Sequence, residues 1–312
     1  MKTVQKWPTG HYVRLVHALT RSPAINPPFS AAAAVSNACC LGAILLTAAA
    51  AFAVEPGVLP ANWITGGPDC SAVPTWQIHP YNPTFTILRQ SGCTHYEKPF
   101  LYLIVGADRA LLVDTGAGAS DAAAVVMKLV GSKPLTVAHS HGHGDHTAGD
   151  KGFDGVANVA FVPAAVDAQT KAFGIRDNVG AIDLGGRIVD ILAIPGHQPA
   201  HLAYYDRQTG ILLTGDHLYP GRLYVSDFAA YEASTRRLVE FTATRPVAHI
   251  LGCHIEQSAT PFVDYPVRTT YQPNEHSLEL GRAHLLELLA GLEAMRAKPE
   301  KQLFRDFTIW PR

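Results

Sequence analysis

The stretch Ala138-His139-Ser140-His141-Gly142-His143-Gly144-Asp145-His146 packs four histidines and an aspartate into nine residues. Pro134 to Ala138, just before it, is a short run with the look of a buried strand. Thr147-Ala148-Gly149, just after it, opens a turn. Neutral imidazole and carboxylate are ligands of Zn²⁺ and similar ions. Residues two apart on an extended segment point the same way, so His141 and His143 can hold one ion together. Asp145 and His146 follow where the chain turns and can face a second ion. Gly142 and Gly144 let the backbone bend without a Cβ clash. A histidine tag or solvated tract would carry no aspartate and would not end a buried strand.

Working outward, three more strand-like runs end in residues of the same type. They are Ile194-Pro195-Gly196-His197, Leu213-Thr214-Gly215-Asp216 and Leu251-Gly252-Cys253-His254. Ala110 to Val113 ends in Asp114 and a Gly-rich turn. Sites gather at strand ends in layered α/β proteins. One such residue alone is usually structural, but seven ligand-type residues in four loops are not a chance pattern. Further strands are expected at Thr84–Leu88, Phe100–Val105, Val159–Val162, Arg187–Ile194, His201–Tyr205, Ile211–Thr214 and Ala248–Gly252. Helices are expected from a Ser120 cap to Val130, from Pro163 to Phe173, from Phe228 to Thr244 and from Glu275 to Lys298. This alternation predicts an α/β layered domain.

The set of motifs resembles the metallo-β-lactamase superfamily of dinuclear metallohydrolases. His141-x-His143-x-Asp145-His146 matches its central signature, and Asp114, His197, Asp216 and His254 match the others in order. The resemblance covers about Thr84 to His254. It implies a four-layer αββα sandwich with two ions, Zn or else Fe or Mn, at one edge. His141, His143 and His197 would hold the first ion, and Asp145, His146 and His254 the second. Asp216 would bridge them, and Asp114 would orient the motif loop from behind. Two cations about 4 Å apart would make hydroxide available near neutral pH for attack on a carbonyl, with Asp145 as orienting or proton-carrying group. The expected substrate is a small ester, thioester or lactone.

Asp216 informs on the branch: β-lactamases of the family generally lack a bridging aspartate there, whereas glyoxalase II-like thioesterases and lactonases have it. A β-lactamase acting on the lactam amide and a mononuclear iron enzyme like the persulfide dioxygenases remain alternatives. Nucleic-acid-processing members need a large insert, and only 37 residues separate Asp216 from His254. His201 and Tyr219 are candidate catalytic residues, with Tyr224 an alternative to Tyr219 as a hydrogen-bond donor to a carbonyl oxygen. Arg268 could meet an acidic substrate or be a surface arginine. His139 and His217 should face away from the ions, and His249 should be structural.

Composition sets the frame. Of 312 residues, 47% are hydrophobic, enough for a buried core. Residues 1–53 contain four of the 25 basic side chains and no acid, leaving 21 basic against 26 acidic in the rest. That balance offers no footprint for nucleic acid. Residues 1–53 read as an export signal ending Ala51-Phe52-Ala53, or as an N-terminal membrane anchor if uncleaved. Export would place the protein in the periplasm or outside the cell. Residues 54–83 read as an irregular arm and 84–312 as one catalytic domain with a C-terminal helix. In an oxidising compartment Cys70 and Cys93 could pair. Cys253 should be a packed thiol, and oligomeric state leaves no mark in the sequence.

Overall fold

A computed structural model describes residues 54–312 except 65, 68, 119 and 120. The segment 1–53 and the expected Ser120 cap lie outside the described residues. The first half of the chain gives β1 (Trp76–Asn82), β2 (Phe85–Gln90), β3 (Phe100–Val105), β4 (Ala110–Val113), α1 (Ala122–Val130), β5 (Leu135–Ala138), the single turn α2 (Gly144–Thr147) and β6 (Val159–Phe161). These strands form one sheet in the order β1-β2-β3-β4-β5-β6. It is antiparallel up to β4 and parallel from β4 to β6. The β4–β5 connection runs through α1, as a parallel pair requires a crossover.

After α3 (Val166–Phe173) come β7 (Val179–Asp183), β8 (Ile188–Ala193), β9 (Leu202–Asp206) and β10 (Ile211–Gly215), an antiparallel meander. Then β11 (Arg222–Val225) and α4 (Phe228–Phe241) lead to β12 (His249–Gly252), which lies parallel to β10. β13 (Glu279–Leu280), α5 (Arg282–Ala294), β14 (Gln302–Leu303) and β15 (Thr308–Pro311) complete the chain. The second sheet has the order β13-β12-β10-β9-β8-β7, and β11, β15 and β14 form a small third one.

Alternation along the strands creates the layers. Phe100, Tyr102 and Ile104 on β3 and Leu111 and Val113 on β4 pack against Ile191, Tyr204, Ile211 and Leu213 of the second sheet. Leu101, Leu103 and Leu112, on the opposite face, pack against Ala122, Val126 and Val130 of α1. Tyr205 and Leu212, facing the other way, pack with Tyr231 and Leu238 of α4 and with Leu285, Leu288 and Leu292 of α5. The result is helix, sheet, sheet, helix, the expected αββα sandwich. Each such side chain, fully buried, contributes about 1.5–3 kcal/mol. Arg187 also stitches the sheets. Its Nε donates to Asp206 Oδ1 (3.0 Å), and its Nη1 donates to the carbonyls of Thr84 (2.9 Å) and Val105 (3.1 Å) on the other sheet.

Some boundaries differ from the expectation. The irregular arm ends at residue 75, because Trp76–Asn82 pairs antiparallel with β2 as the edge strand, burying Trp76 and Tyr81. The long C-terminal helix is only Arg282–Ala294: Glu279 and Leu280 pair with β12, and Gly281 sits in extended conformation at the helix start. Strands β7, β11, β14 and β15 were not expected. Cys70 and Cys93 form a disulfide, tying the arm to the turn after β2. No helix of the described residues is long and apolar enough to cross a membrane.

Candidate metal centre

The ligand-type residues all leave the ends of β4, β5, β8, β10 and β12, so the two sheets deliver them to one edge. Two glycines make this possible. Gly196 precedes His197 at φ 137°, and a Cβ there would lie 2.4 Å from the Tyr231 Cα. Gly215 precedes Asp216 at φ 52°, where a Cβ would meet His201 Nε2 at 2.6 Å.

The side chains converge as two groups. In the first, His143 Nδ1 lies 2.9 Å from His141 Nε2 and 3.1 Å from His197 Nε2. In the second, Asp145 Oδ2 lies 3.2 Å from both His146 Nε2 and His254 Nε2, and those two nitrogens are 3.4 Å apart. Asp216 divides its oxygens between them. Oδ1 is 3.4 Å from His146 and 3.3 Å from His254, and Oδ2 is 3.8 Å from His141 and 3.6 Å from His197.

Hydrogen bonds from behind fix which nitrogen faces inward. His146 Nδ1 donates to Asp114 Oδ2 (2.9 Å), His197 Nδ1 to the Tyr224 carbonyl (2.8 Å) and His254 Nδ1 to the Glu97 carbonyl (3.0 Å). Each Nε2 therefore faces inward, where it offers a lone pair to a metal ion whenever it carries no proton. Asp114 is fully buried at φ 67° and also accepts from Ser140 N (2.7 Å), Ser140 Oγ (2.8 Å) and Cys253 Sγ (3.2 Å).

Charge points to the same use. Burial pushes His141 well down and His197 down, so both are neutral bases. Burial also works against the charged forms of His146 and His254, but the carboxylates of Asp145 and Asp216 outweigh it and raise both well above the usual value. Burial would raise Asp145 and Asp216 in turn, yet His146 and His254 hold both carboxylates ionised. Asp216 Oδ1 is buried without a hydrogen-bond donor. Converging imidazole nitrogens and two ionised carboxylates, one with a buried oxygen that no hydrogen bond reaches, are what a divalent cation satisfies by displacing the protons of His146 and His254, and the N/O donor set suits zinc. The residues fit two ions.

Every sequence-expected ligand is therefore in one of the two groups, and Asp114 stands behind them. Two expected catalytic residues do not fit. His201 lies beneath the ligands, its ring 4.8 Å from that of His141, and is 1% exposed, so it cannot reach a substrate. The buried hydroxyl of Tyr219 donates to the Arg222 carbonyl, so its proton is already committed. Tyr224, half-buried on the cleft wall, instead accepts from Arg222 Nε (3.3 Å) and keeps its own proton free. His139 pairs with Asp150 (2.9 Å), and His217 bonds Thr235 (2.9 Å) and stacks on Tyr231, both facing away as expected. Cys253 is a buried thiol of the core between the sheets, as expected, and its Sγ also donates to Asp114 Oδ2 (3.2 Å). The carbonyls of Glu97 and Tyr224 were missed, because a backbone oxygen carries no sequence signal.

The loop that supplies the Glu97 carbonyl is held by Lys98. This buried residue donates from Nζ to the Tyr96 and Thr269 carbonyls, 2.8 Å each. Burial, then the neighbouring Arg89, push its pKa from 10.5 down to about 8. Between those values the unfolded chain carries a proton that the folded chain lacks, so this lysine makes stability rise with pH through that window. Lys98→Met is expected to flatten the rise in urea unfolding compared at pH 7.5 and pH 10. An unchanged difference between the two pH values would refute the assignment.

A layered α/β scaffold whose strand ends gather two groups of imidazoles and carboxylates defines a class, the metallohydrolases. The sequence profile of the metallo-beta-lactamase superfamily matches residues 99–254, and the chain belongs to that superfamily. A hydroxyacylglutathione hydrolase of Dechloromonas aromatica is 29% identical over 62% of this chain and 71% of its own. An acyl-coenzyme A thioesterase of Gallus gallus is 24% identical over 49% of this chain and 71% of its own. A solved metallo-beta-lactamase from Pontibacter korlensis superposes with a TM-score of 0.51 at 15% identity, covering 70% of this chain and 99% of its own, a likeness of fold. The protein is a metal-dependent hydrolase.

Proposed function

We propose that this protein is a dinuclear hydrolase of small esters, thioesters or lactones. The observation that carries the reading is Asp216, whose two oxygens face the two ligand groups separately. His141, His143 and His197 would hold one ion, Asp145, His146 and His254 the other, with Asp216 shared. When bound, such ions supply the charge that makes hydroxide available near neutral pH and that polarises a carbonyl. The chain does the rest. Asp145 lines the cleft, where it orients the attacking water and passes its proton toward the leaving group. Tyr224 donates its free phenol proton to the carbonyl oxygen. The hydrogen bonds of Asp114, Glu97 and Tyr224 keep the imidazoles in one tautomer through the cycle. The thioesterase names among the relatives favour a thioester over a lactam. The Cys70–Cys93 bridge supports residence in an oxidising compartment after export.

The test is metal content measured together with turnover of a thioester, a homoserine lactone and a cephalosporin. Two equivalents of metal with thioester or lactone hydrolysis are expected. A single iron with oxygen consumption, or turnover of the cephalosporin alone, would overturn the reading.

A further inference from the structure

Beyond the ligand-type residues, the cleft of about 160 Å³ is walled by Glu97, Tyr219, Tyr224, Glu256 and Arg312. No aliphatic side chain is in that wall among the described residues. Most of its polar groups are already engaged. Glu256 Oε1 accepts from Arg222 Nη2 (2.9 Å) and its Oε2 from Arg222 N (2.9 Å). Arg312 differs: no aspartate or glutamate side chain pairs with it among the described residues. Its position is fixed by the parallel β11–β15 pair, where Tyr224 faces Trp310 and Val225 faces Pro311. Arg312 N then donates to the Val225 carbonyl (2.9 Å). Its guanidinium lies 3.7 Å over the centre of the Tyr224 ring. A guanidinium held over an aromatic face still offers N–H donors at its edge, and these match a carboxylate's two oxygens.

We propose that Arg312, backed by Tyr224, is the residue that selects substrate, and that the substrate carries a carboxylate beside its scissile carbonyl. The inference rests on the hydrolase reading and narrows it to anionic acyl compounds. A polar wall with one uncommitted cation gives a long apolar acyl chain nothing to bury against, whereas it gives a carboxylate an ion pair.

The experiment compares isosteric pairs that differ in charge. The leaving-group arm uses the acetyl thioesters of 3-mercaptopropionate and 3-mercaptopropionamide. The acyl arm uses the glutaryl and glutaramoyl thioesters of N-acetylcysteamine. In one arm the wild-type enzyme should prefer the anionic member. Arg312→Ala should cut the anionic-to-neutral ratio of kcat/KM by about 10- to 100-fold, mainly through KM, the worth of a charge-assisted hydrogen bond. Arg312→Lys should restore part of it. No preference in either arm, or one that survives in Arg312→Ala, overturns the proposal. Calorimetric binding of glutarate reads the same contact without turnover. If wild type hydrolysed no thioester yet bound glutarate more tightly than Arg312→Ala, the thioester reading would fall and the role of Arg312 would stand.

Discussion

Asp216→Ala is expected to lower kcat/KM by at least about 10³-fold, the scale on which loss of an aimed charge at a reacting centre is felt. The carboxylate is buried, and its oxygens lie 3.3–3.8 Å from four imidazoles belonging to both groups. No other side chain is shared in this way among the described residues, so nothing takes over its place. Metal content should fall from two equivalents toward one, because each group would keep only its own three ligands. The near-UV circular dichroism should stay as in wild type. A variant that kept two equivalents and the parent rate would remove the basis of the dinuclear proposal.

Asp114→Ala should strike stability and metal binding together. The carboxylate accepts from Ser140 N, Ser140 Oγ, His146 Nδ1 and Cys253 Sγ, and all four donors would be left buried without it. Each orphaned group costs about 1–3 kcal/mol. The donors share one acceptor, so a combined loss of about 3–5 kcal/mol is expected, the scale for breaking a buried charged pair. The backbone adds to this, since φ 67° suits aspartate or asparagine better than alanine. Asp114→Asn should fold but bind metal about 10- to 100-fold more weakly, because its amide can turn a donor toward His146. Thermal unfolding and metal titration check both variants. An Asp114→Ala protein with the parent midpoint and affinity would show that the motif loop holds its own shape.

How far the sequence could be read depended on what kind of group was acting. His141, His143, Asp145 and His146 announce themselves by type and spacing, and His197, Asp216 and His254 by ending apolar runs. The β3 and β4 strands were legible because continuous apolar runs mark strands covered on both faces. Trp76–Asn82 was not, because its proline and polar residues match a loop in composition while its pairing with β2 is tertiary. Glu275–Lys298 looked helical throughout by propensity, but Glu279 and Leu280 gain more by completing the edge of the second sheet. His201 and Tyr219 have the right chemistry and the right neighbours in sequence. Only the packed structure shows that one sits under the ligands and the other has spent its proton.

The ligand groups draw on both halves of the sandwich. His141, His143, Asp145 and His146 follow strands of the first sheet, while His197, Asp216 and His254 follow strands of the second. Neither half owns a complete set for either ion. An ion held there is a cross-link between the two sheets, so its binding and the adhesion of the halves are one linked equilibrium. Whatever lowers free metal around this protein also loosens the seam through its core, and whatever loosens the seam releases metal.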